Sequence, residues 1–415
     1  MKWWINQKLY VKIIICIIIG AILGITLGDK ATNVLDPIGN IFIRLLKMLI
    51  APVVFFTIVS GIIKMQDVKS LRSIGGKLMV YYVLTSILAA VIGIVTALII
   101  RPGIEGAAGI VEEGVKVEVT KFNFIDNMVS WVPTNPFEAL VTANVLQILF
   151  FAILLGIVLL IMGERVKKLN EIIDMCAETM IKVTDIVMKF SPYGILALIA
   201  SMVNSLGLQT LAEVAKFIIA DYIAILILLI FVYPIQLKMS KLSIKRFYQG
   251  ISPAIIIAAS TTSSAATLPV SLNVAEKNLK IPEKIYGFGL TVGATINTNG
   301  MAAALGVIAV FAANIYGLPI TLPLMVQIVF LGLILSMGTA GVKGAGIVLS
   351  TVLLQSLNLP LDLVPIFAAI WPVIDIGHTT VNVVGDLVGV TKIAANAGEI
   401  SIEDFNNPAI SNTGA

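Results

Sequence analysis

The sequence predicts an all-α, polytopic membrane protein, and three observations carry that expectation. The 415-residue chain is 58% hydrophobic and only 13% charged, with a mean hydropathy of +1.01. That is more apolar surface than a soluble chain of this size needs. Apolar runs recur at 10–28, 41–63, 78–100, 143–162 and 218–237, each near the roughly 20 residues that a helix needs to cross a bilayer. Beyond Phe247 the apolar stretches continue, but Ser/Thr/Gly/Pro clusters interrupt them at 260–269, 293–300, 336–346 and 375–386. Polar backbone at membrane depth is tolerated only where it meets protein, water, an ion or a ligand.

The same composition narrows the function classes. The formal charge of +4 is small and reads through membrane topology, not through a nucleic-acid partner. The run Tyr10–Leu27 is too long for a signal-peptide core and no small-x-small site ends it, so it reads as a retained first transmembrane helix. Cys16 and Cys176 lie in apolar or amphipathic helical sequence and imply packing, with no disulfide framework.

Basic residues orient the elements. Lys2, Lys8 and Lys12 precede the first span; Lys64, Lys69, Arg72 and Lys77 fill the second loop; Arg165, Lys167 and Lys168 follow the fourth span. The alternate loops expected at 28–40, 205–212 and 314–321 hold only Lys30, which places the N-terminus in the cytoplasm. The connection 101–142 is acidic, with Glu105, Glu112, Glu113, Glu118 and Asp126. Glu171, Asp174, Glu178, Lys182, Asp185 and Lys189 recur every three or four residues, a charged stripe on an amphipathic helix. Arg44 and Lys47 in the second span are expected to snorkel or to pair within the protein.

Both flanks of segment 247–274 are basic (Lys238, Lys241, Lys245 and Arg246 before it; Lys277, Lys280 and Lys284 after it). It must therefore enter and leave on one side, as a re-entrant hairpin with its tip at Ser260–Ser264. Segment 322–357 has the same shape, with a tip at 336–346, but its flanks are poor in basic residues. Two units of opposite orientation follow, 247–274 with 285–313 and 322–357 with 361–390, and that is the inverted-repeat plan of secondary transporters.

Two segments carry the chemistry. Thr291–Leu305 is long enough, with its apolar flanks, to cross a bilayer, yet its centre holds Thr295, Asn297, Thr298, Asn299 and Gly300. A helix broken at mid-depth exposes carbonyls and amides to a ligand. In the last span Asp375, His378, Thr379, Asn382 and Asp386 are spaced 3, 1, 3 and 4 and fall on one helical face. Two carboxylates, an amide, a hydroxyl and the sole histidine on one face of an apolar helix are costly unless they bind something. An acid suits a substrate ammonium; an acid near Asn382 and freed carbonyls suits a hard cation, to which Asn297 adds an amide oxygen. Free N–H groups at the hairpin tips suit a substrate carboxylate.

These residues resemble the glutamate and neutral amino-acid transporter family, the dicarboxylate/amino-acid:cation symporters, which include bacterial and archaeal aspartate/glutamate transporters. The resemblance covers nearly the whole chain. It is strongest in Ser-Ser-x-x-Thr-Leu-Pro at 263–269, Gly-Ala-Thr-Ile-Asn at 293–297, Gly-Thr-Ala-Gly-Val-x-Gly-Ala-Gly at 338–346 and Asp-x-Gly-x-Thr-x-Val-Asn-Val-x-Gly-Asp at 375–386. Tyr81–Ser86 and Val132–Pro136 also match.

The resemblance implies eight transmembrane helices, two re-entrant helical hairpins, inverted repeats, a homotrimer and elevator-type movement. Residues 1–77 would hold scaffold helices 1 and 2, 78–101 the third helix of the moving domain, and 102–207 scaffold helices 4 and 5 with the extracellular 3–4 loop. The core of the moving domain would span 208–395, with a cytoplasmic tail at 396–415. By position Ser263, Ser264, Met301, Thr339, Gly341, Asp375, His378, Thr379 and Asn382 would line the substrate. Asp375 would hold its amino group and Asn382 its carboxylate region. One sodium site would map to Gly293, Asn297, Asn382 and Asp386, a second to Thr295, Ser336, Met337 and Thr339, and a third to Tyr82, Thr85, Ser86, Asn297 and Asn299.

The departures from the family pattern bear on ion and substrate. The usual Asn-Met-Asp-Gly-Thr is Asn297-Thr-Asn-Gly-Met301, so the acid of the third site is the amide Asn299 and cation binding there is weakened. The substrate-contacting threonine is Met301. Acidic-substrate members carry an arginine where His378 stands, and histidine cannot grip a carboxylate as a bidentate fork does. Lys343 stands where many relatives have proline, as a candidate surrogate for a bound cation.

The expected function is secondary-active, cation-coupled transport of a neutral amino acid, because Asp375 is kept and the arginine is gone. The alternative is an acidic amino acid or C4-dicarboxylate held by protonated His378 with proton coupling. The expected partners are the substrate, the lipid bilayer and two further copies of the chain, with no nucleic acid. No cofactor is expected, only transported sodium or protons. The expected location is the inner (plasma) membrane, multi-pass, with both termini cytoplasmic. An intramembrane hydrolase using Ser263 or Ser264 with His378 and Asp375 lacks a Gly-x-Ser-x-Gly elbow, and a passive channel is a further alternative. An enzyme is not expected.

Overall fold

A computed structural model describes residues 4, 7, 9–63, 72–103, 129, 131–337, 345–361 and 363–407. Thr339, Gly341 and Lys343, and the acidic residues of the 104–128 connection, lie outside the described residues, as do Lys2, Lys8, Lys64 and Lys69. All regular structure among the described residues is helical. The helices are α1 (Leu9–Leu27), α2 (Asp29–Ile63), α3 (Arg72–Ile100), the short α4 (Pro136–Val141), α5 (Val145–Met162) and α6 (Lys167–Ile227). A π turn, Leu228–Val232, joins α6 to α7 (Tyr233–Met239). Then follow α8 (Ile244–Thr261), α9 (Ser264–Lys277), α10 (Glu283–Ile296), α11 (Asn299–Ile315), α12 (Leu322–Met337), α13 (Ala345–Ser356), α14 (Val364–Asn396) and α15 (Ile402–Asn406).

Among the described residues four stretches are long and apolar enough to cross a membrane: Gly75–Ile100, Ala212–Met239, Glu283–Ile315 and Ile366–Asn396. Shorter apolar helices are Ile15–Leu27, Ala51–Ile63, Leu322–Met337 and Gly346–Ser356. The turn before α2 is confined to Gly28 at φ +51, where the sequence suggested a loop over 28–40. Residues 205–212 are likewise helical and belong to α6. Gly207 is the lone breaker in that stretch, and one glycine costs a helix only about 1 kcal/mol. The expected unit boundary at 207/208 thus falls inside a continuous helix.

The interruption between α8 and α9 has a local cause. Thr262 takes the left-handed conformation (φ 50, ψ 39), and its N–H bonds Ala258 O at 2.9 Å to finish α8. Ser263 then caps α9, its Oγ accepting from Ala266 N at 3.2 Å. The two arms pack on each other and on α14. α1 and α2 pack along α6, and α2 also packs on α5. The broken helix lies between: α11 packs on α3, α12, α13 and α14, and α10 on α9 and α14.

Burial separates outer from inner helices. Phe150, Ile153, Leu154, Ile157, Val158 and Ile161 of α5 are exposed, as are Val80, Leu84, Val95 and Ile99 of α3. Such apolar rows suit lipid, not water. Of the charged stripe on α6, Glu171, Glu178, Lys182 and Lys189 are exposed, and the half-buried Asp174 accepts from Ser60 Oγ at 2.7 Å. Arg44 is exposed. Cys16 is buried, Cys176 half-buried, and both are free thiols.

Candidate functional site

Helix α10 ends at Ile296, and α11 restarts at Asn299. Asn297 (φ −94, ψ 68) and Thr298 (φ −100, ψ 65) leave the helical region between them. Breaking a helix frees carbonyls at one stub and N–H groups at the other. Here 94% of the most apolar window of Glu283–Ile315 is buried inside protein, against 33% for Ala212–Met239. The break is therefore shielded from lipid. Gly300 N–H donates to Asn382 Oδ1 at 2.8 Å, so a freed donor of α11 is satisfied by α14. Thr298 Oγ1 donates to the carbonyl of Ser336 at the end of α12.

Glycines let the backbones meet. A Cβ built on Gly300 would lie 2.5 Å from His378 Cα and 2.6 Å from its carbonyl oxygen. One on Gly293 would lie 2.5 Å from Asp386 Oδ1, and one on Gly385 would lie 2.6 Å from Tyr233 Oη. A side chain at Gly300 would meet the backbone of α14, and one at Gly293 or Gly385 would displace the polar side chains of Asp386 or Tyr233.

Two polar loci result. In the first, Asn297 Nδ2 donates to Asp386 Oδ1 at 2.8 Å while Thr85 Oγ1 donates to Asn297 Oδ1 at 3.2 Å. Gly293, Asn297 and Asp386 are thus brought together, with a buried carboxyl group among neutral oxygens, and Asn382 stands one turn before Asp386 with its Oδ1 on Gly300 N–H. In the second, Ser86 Oγ donates to Asn299 Oδ1 at 3.1 Å, and Asn299 Nδ2 donates to Tyr233 Oη at 3.0 Å. Tyr233 passes its own proton to Val381 O at 3.1 Å. Tyr82 Oη bonds Gly289 O at 2.8 Å. Both ends of the Asn299 amide are used, and the donor end makes a bond that an ionised aspartate could not.

Thr295 and Met337 meet across a cavity of about 360 Å3, bounded by Gly61 and Ile58 of α2, Ile153 and Ile157 of α5, and Ile334 of α12. The Thr295 methyl faces α2, 3.1 Å from a Cβ built on Gly61. Of the expected substrate residues Ser264, Met301, Asp375, Thr379 and Asn382 are buried, and Ser263 is half-buried. α9 and α13 both pack on α14.

His378 is placed differently from its stripe-mates. At roughly 100° per residue, Asp375, Thr379, Asn382 and Asp386 fall within about 60° of one another, and His378 stands about 60° to one side of Asp375. That edge turns toward α6, where His378 Nε2 meets both carboxylate oxygens of Asp221, at 2.9 and 2.8 Å. Its ring packs on Trp371 with centroids 5.4 Å apart. Asp221 and Tyr233 are the partners that sequence reasoning missed. Asp221 left one signal: no other charged residue lies between Phe217 and Gln236, and a lone acid in an apolar span needs a partner.

Comparison with known proteins places the chain among transporters. The model of the sodium:dicarboxylate symporter family matches residues 9–396. A proton/sodium-glutamate symport protein of Bacillus caldotenax is 30% identical over 404 residues, covering 93% of this chain and 95% of the relative. The proton/glutamate-aspartate symporter of Escherichia coli (strain K12) is 30% identical over 403 residues, covering 91% of each chain. A C4-dicarboxylate transport protein of Bacillus subtilis (strain 168) is 27% identical over 399 residues, covering 95% and 94%.

Proposed function

This chain belongs to the sodium:dicarboxylate symporter family, and from that premise we propose that it carries a neutral amino acid across the inner membrane, coupled to a cation. One observation carries the reading: the broken helix closes on the α14 stripe through Asn297–Asp386 and Gly300–Asn382. That closure groups a buried carboxyl group, neutral oxygens and the N-terminus of α11, the components of a shared cation and substrate site.

In this reading Asp375 holds the substrate ammonium, and Asn382, Thr379, Met301, Ser263 and Ser264 line its remainder. Thr339 and Gly341 belong to the gate, with Lys343 beside them as cation surrogate. Gly293, Asn297, Asn382 and Asp386 hold one sodium ion; Thr295, Ser336, Met337 and Thr339 hold a second. Tyr82, Thr85, Ser86, Asn297 and Asn299 form a third site that lacks a formal charge, so fewer sodium ions move per cycle or a proton replaces one. The chain works as a homotrimer with eight transmembrane helices and two re-entrant hairpins. Residues 78–101 and 208–395 move like an elevator against the scaffold of 1–77 and 102–207. Both termini, with the 396–415 tail, are cytoplasmic.

The absence of the arginine at position 378 and the engagement of His378 by Asp221 favour the uncharged side chain. A second reading rests on the relatives, which are named for glutamate, aspartate and C4-dicarboxylates. In it a protonated His378 grips the distal carboxylate. Uptake into proteoliposomes separates the readings. Labelled alanine and serine are offered with a sodium or proton gradient, against glutamate, aspartate and succinate, at pH 5.5 and 7.5. Accumulation of a neutral amino acid above equilibrium is expected. Preference for an acidic substrate over every neutral one supports the second reading, and equilibration without accumulation indicates a channel.

A further inference from the structure

The Asp221–His378 contact is the most buried pairing of ionisable groups among the described residues, with side-chain exposures of 0% and 1%. An ionised carboxylate only accepts, so with Asp221 ionised the bonds at 2.8 and 2.9 Å take their proton from His378 Nε2. The other ring nitrogen, Nδ1, is buried and has no partner among the described residues. Three further groups fix the ring. Trp371 lies on one side, and its Cζ2 sits 1.6 Å from where a Gly346 Cβ would stand, so α13 pins the indole in turn. The Gly300 backbone closes on the His378 backbone. From α6, Tyr222 Oη donates to Val373 O at 2.7 Å and holds the two helices in register. Besides Asp221, the ionisable groups around His378 are Tyr222 on α6 and Asp375 one turn back on α14.

A charge buried this deeply is strongly unfavourable without a counter-charge. The arrangement that burial favours is the one in which the pair as a whole carries no net charge. His378 is the one basic side chain on the binding stripe, and Asp221 cancels it.

We propose that Asp221 is a specificity-determining positioning residue: its carboxylate neutralises and orients His378, so that the side-chain end of the site offers the substrate one imidazole nitrogen and no net positive charge. This inference rests on the amino-acid transport reading. It explains why a basic residue at position 378 coexists with a site for uncharged side chains, and it assigns the discrimination to α6, outside the stripe.

The test measures KM and maximal rate for serine, and the inhibition constant of aspartate, with the full chain in proteoliposomes under a sodium gradient. The proteins are wild type, Asp221→Asn, Asp221→Glu, His378→Arg, and Asp221→Asn combined with His378→Arg. The ratio of aspartate inhibition constant to serine KM is expected to fall by at least about tenfold when a base is left uncancelled. That fall is expected in Asp221→Asn measured at pH 5.5, and most strongly in the double variant, where the arginine stays charged at any pH. Asp221→Glu is expected to retain the wild-type ratio, and His378→Arg alone to shift it little, because Asp221 still cancels the charge. If Asp221→Asn does not fold, alone or in the double variant, wild type and His378→Arg carry the comparison, and a fall of about tenfold in the ratio in His378→Arg overturns the inference. A ratio unchanged between His378→Arg and the double variant, or a change in maximal rate alone, overturns the inference while wild-type serine uptake leaves the transport reading intact. Absence of amino-acid uptake by the wild type overturns both.

Discussion

Two asparagines sit two residues apart on the broken helix, and their surroundings differ in one respect. Asn297 gives its amide proton to the carboxylate of Asp386, whereas Asn299 gives its own to the neutral hydroxyl of Tyr233. Each accepts in turn from a hydroxyl of α3, Thr85 or Ser86. The first locus holds an ionisable carboxyl group and the second has none. A hard cation binds oxygen ligands more tightly as their charge rises, so the proposed reading predicts tighter cation binding on the Asn297 side than on the Asn299 side.

The largest effect expected from a single change is one that breaks both loci. Gly300→Ala drives a Cβ into the His378 backbone, a rigid obstacle that forces α11 and α14 apart. Overpacking of this kind costs about 1–3 kcal/mol. A melting temperature lowered by several degrees and loss of concentrative uptake are the expected outcomes. Unchanged uptake would show that the close approach is dispensable.

Restoring charge to the second locus sharpens the comparison. Asn299→Asp is expected to raise apparent sodium affinity by roughly tenfold and to steepen the sodium dependence of uptake, by adding an anionic ligand. A flat response in a sodium titration would mean that the second locus holds no cation in either form. The smallest effect is expected from Tyr233→Phe. It removes the bonds to Asn299 and Val381, worth about 1 kcal/mol each. Thermal unfolding reads that loss, and the sodium dependence of uptake is expected to shift by less than about threefold.

Much of this architecture was legible in the sequence, for physical reasons. The break at Asn297–Thr298 announces itself because amides and a glycine interrupt an otherwise lipid-compatible run. The α8–α9 interruption announces itself because Thr262 and Ser263 are a helix end and a cap. Helical spacing put Asp375, Thr379, Asn382 and Asp386 on one face. The pairing of Asp221 with His378 did not follow, because 157 residues separate them and no periodic signal links α6 to α14. The lone charge within the apolar run of α6 showed only that a partner was required. The loops expected at 28–40 and 205–212 failed because low basic content marks topology, not backbone: the first shrinks to a turn at Gly28, and the chain stays helical through Gly207.

Sodium titration of substrate binding, on wild type beside Asp386→Asn and Asn299→Ala, tests the contrast between the two loci most directly. The account predicts that Asp386→Asn weakens apparent sodium affinity on the order of a hundredfold, while Asn299→Ala stays within about fivefold of wild type. Sodium dependence that survives in Asp386→Asn and disappears in Asn299→Ala would contradict it.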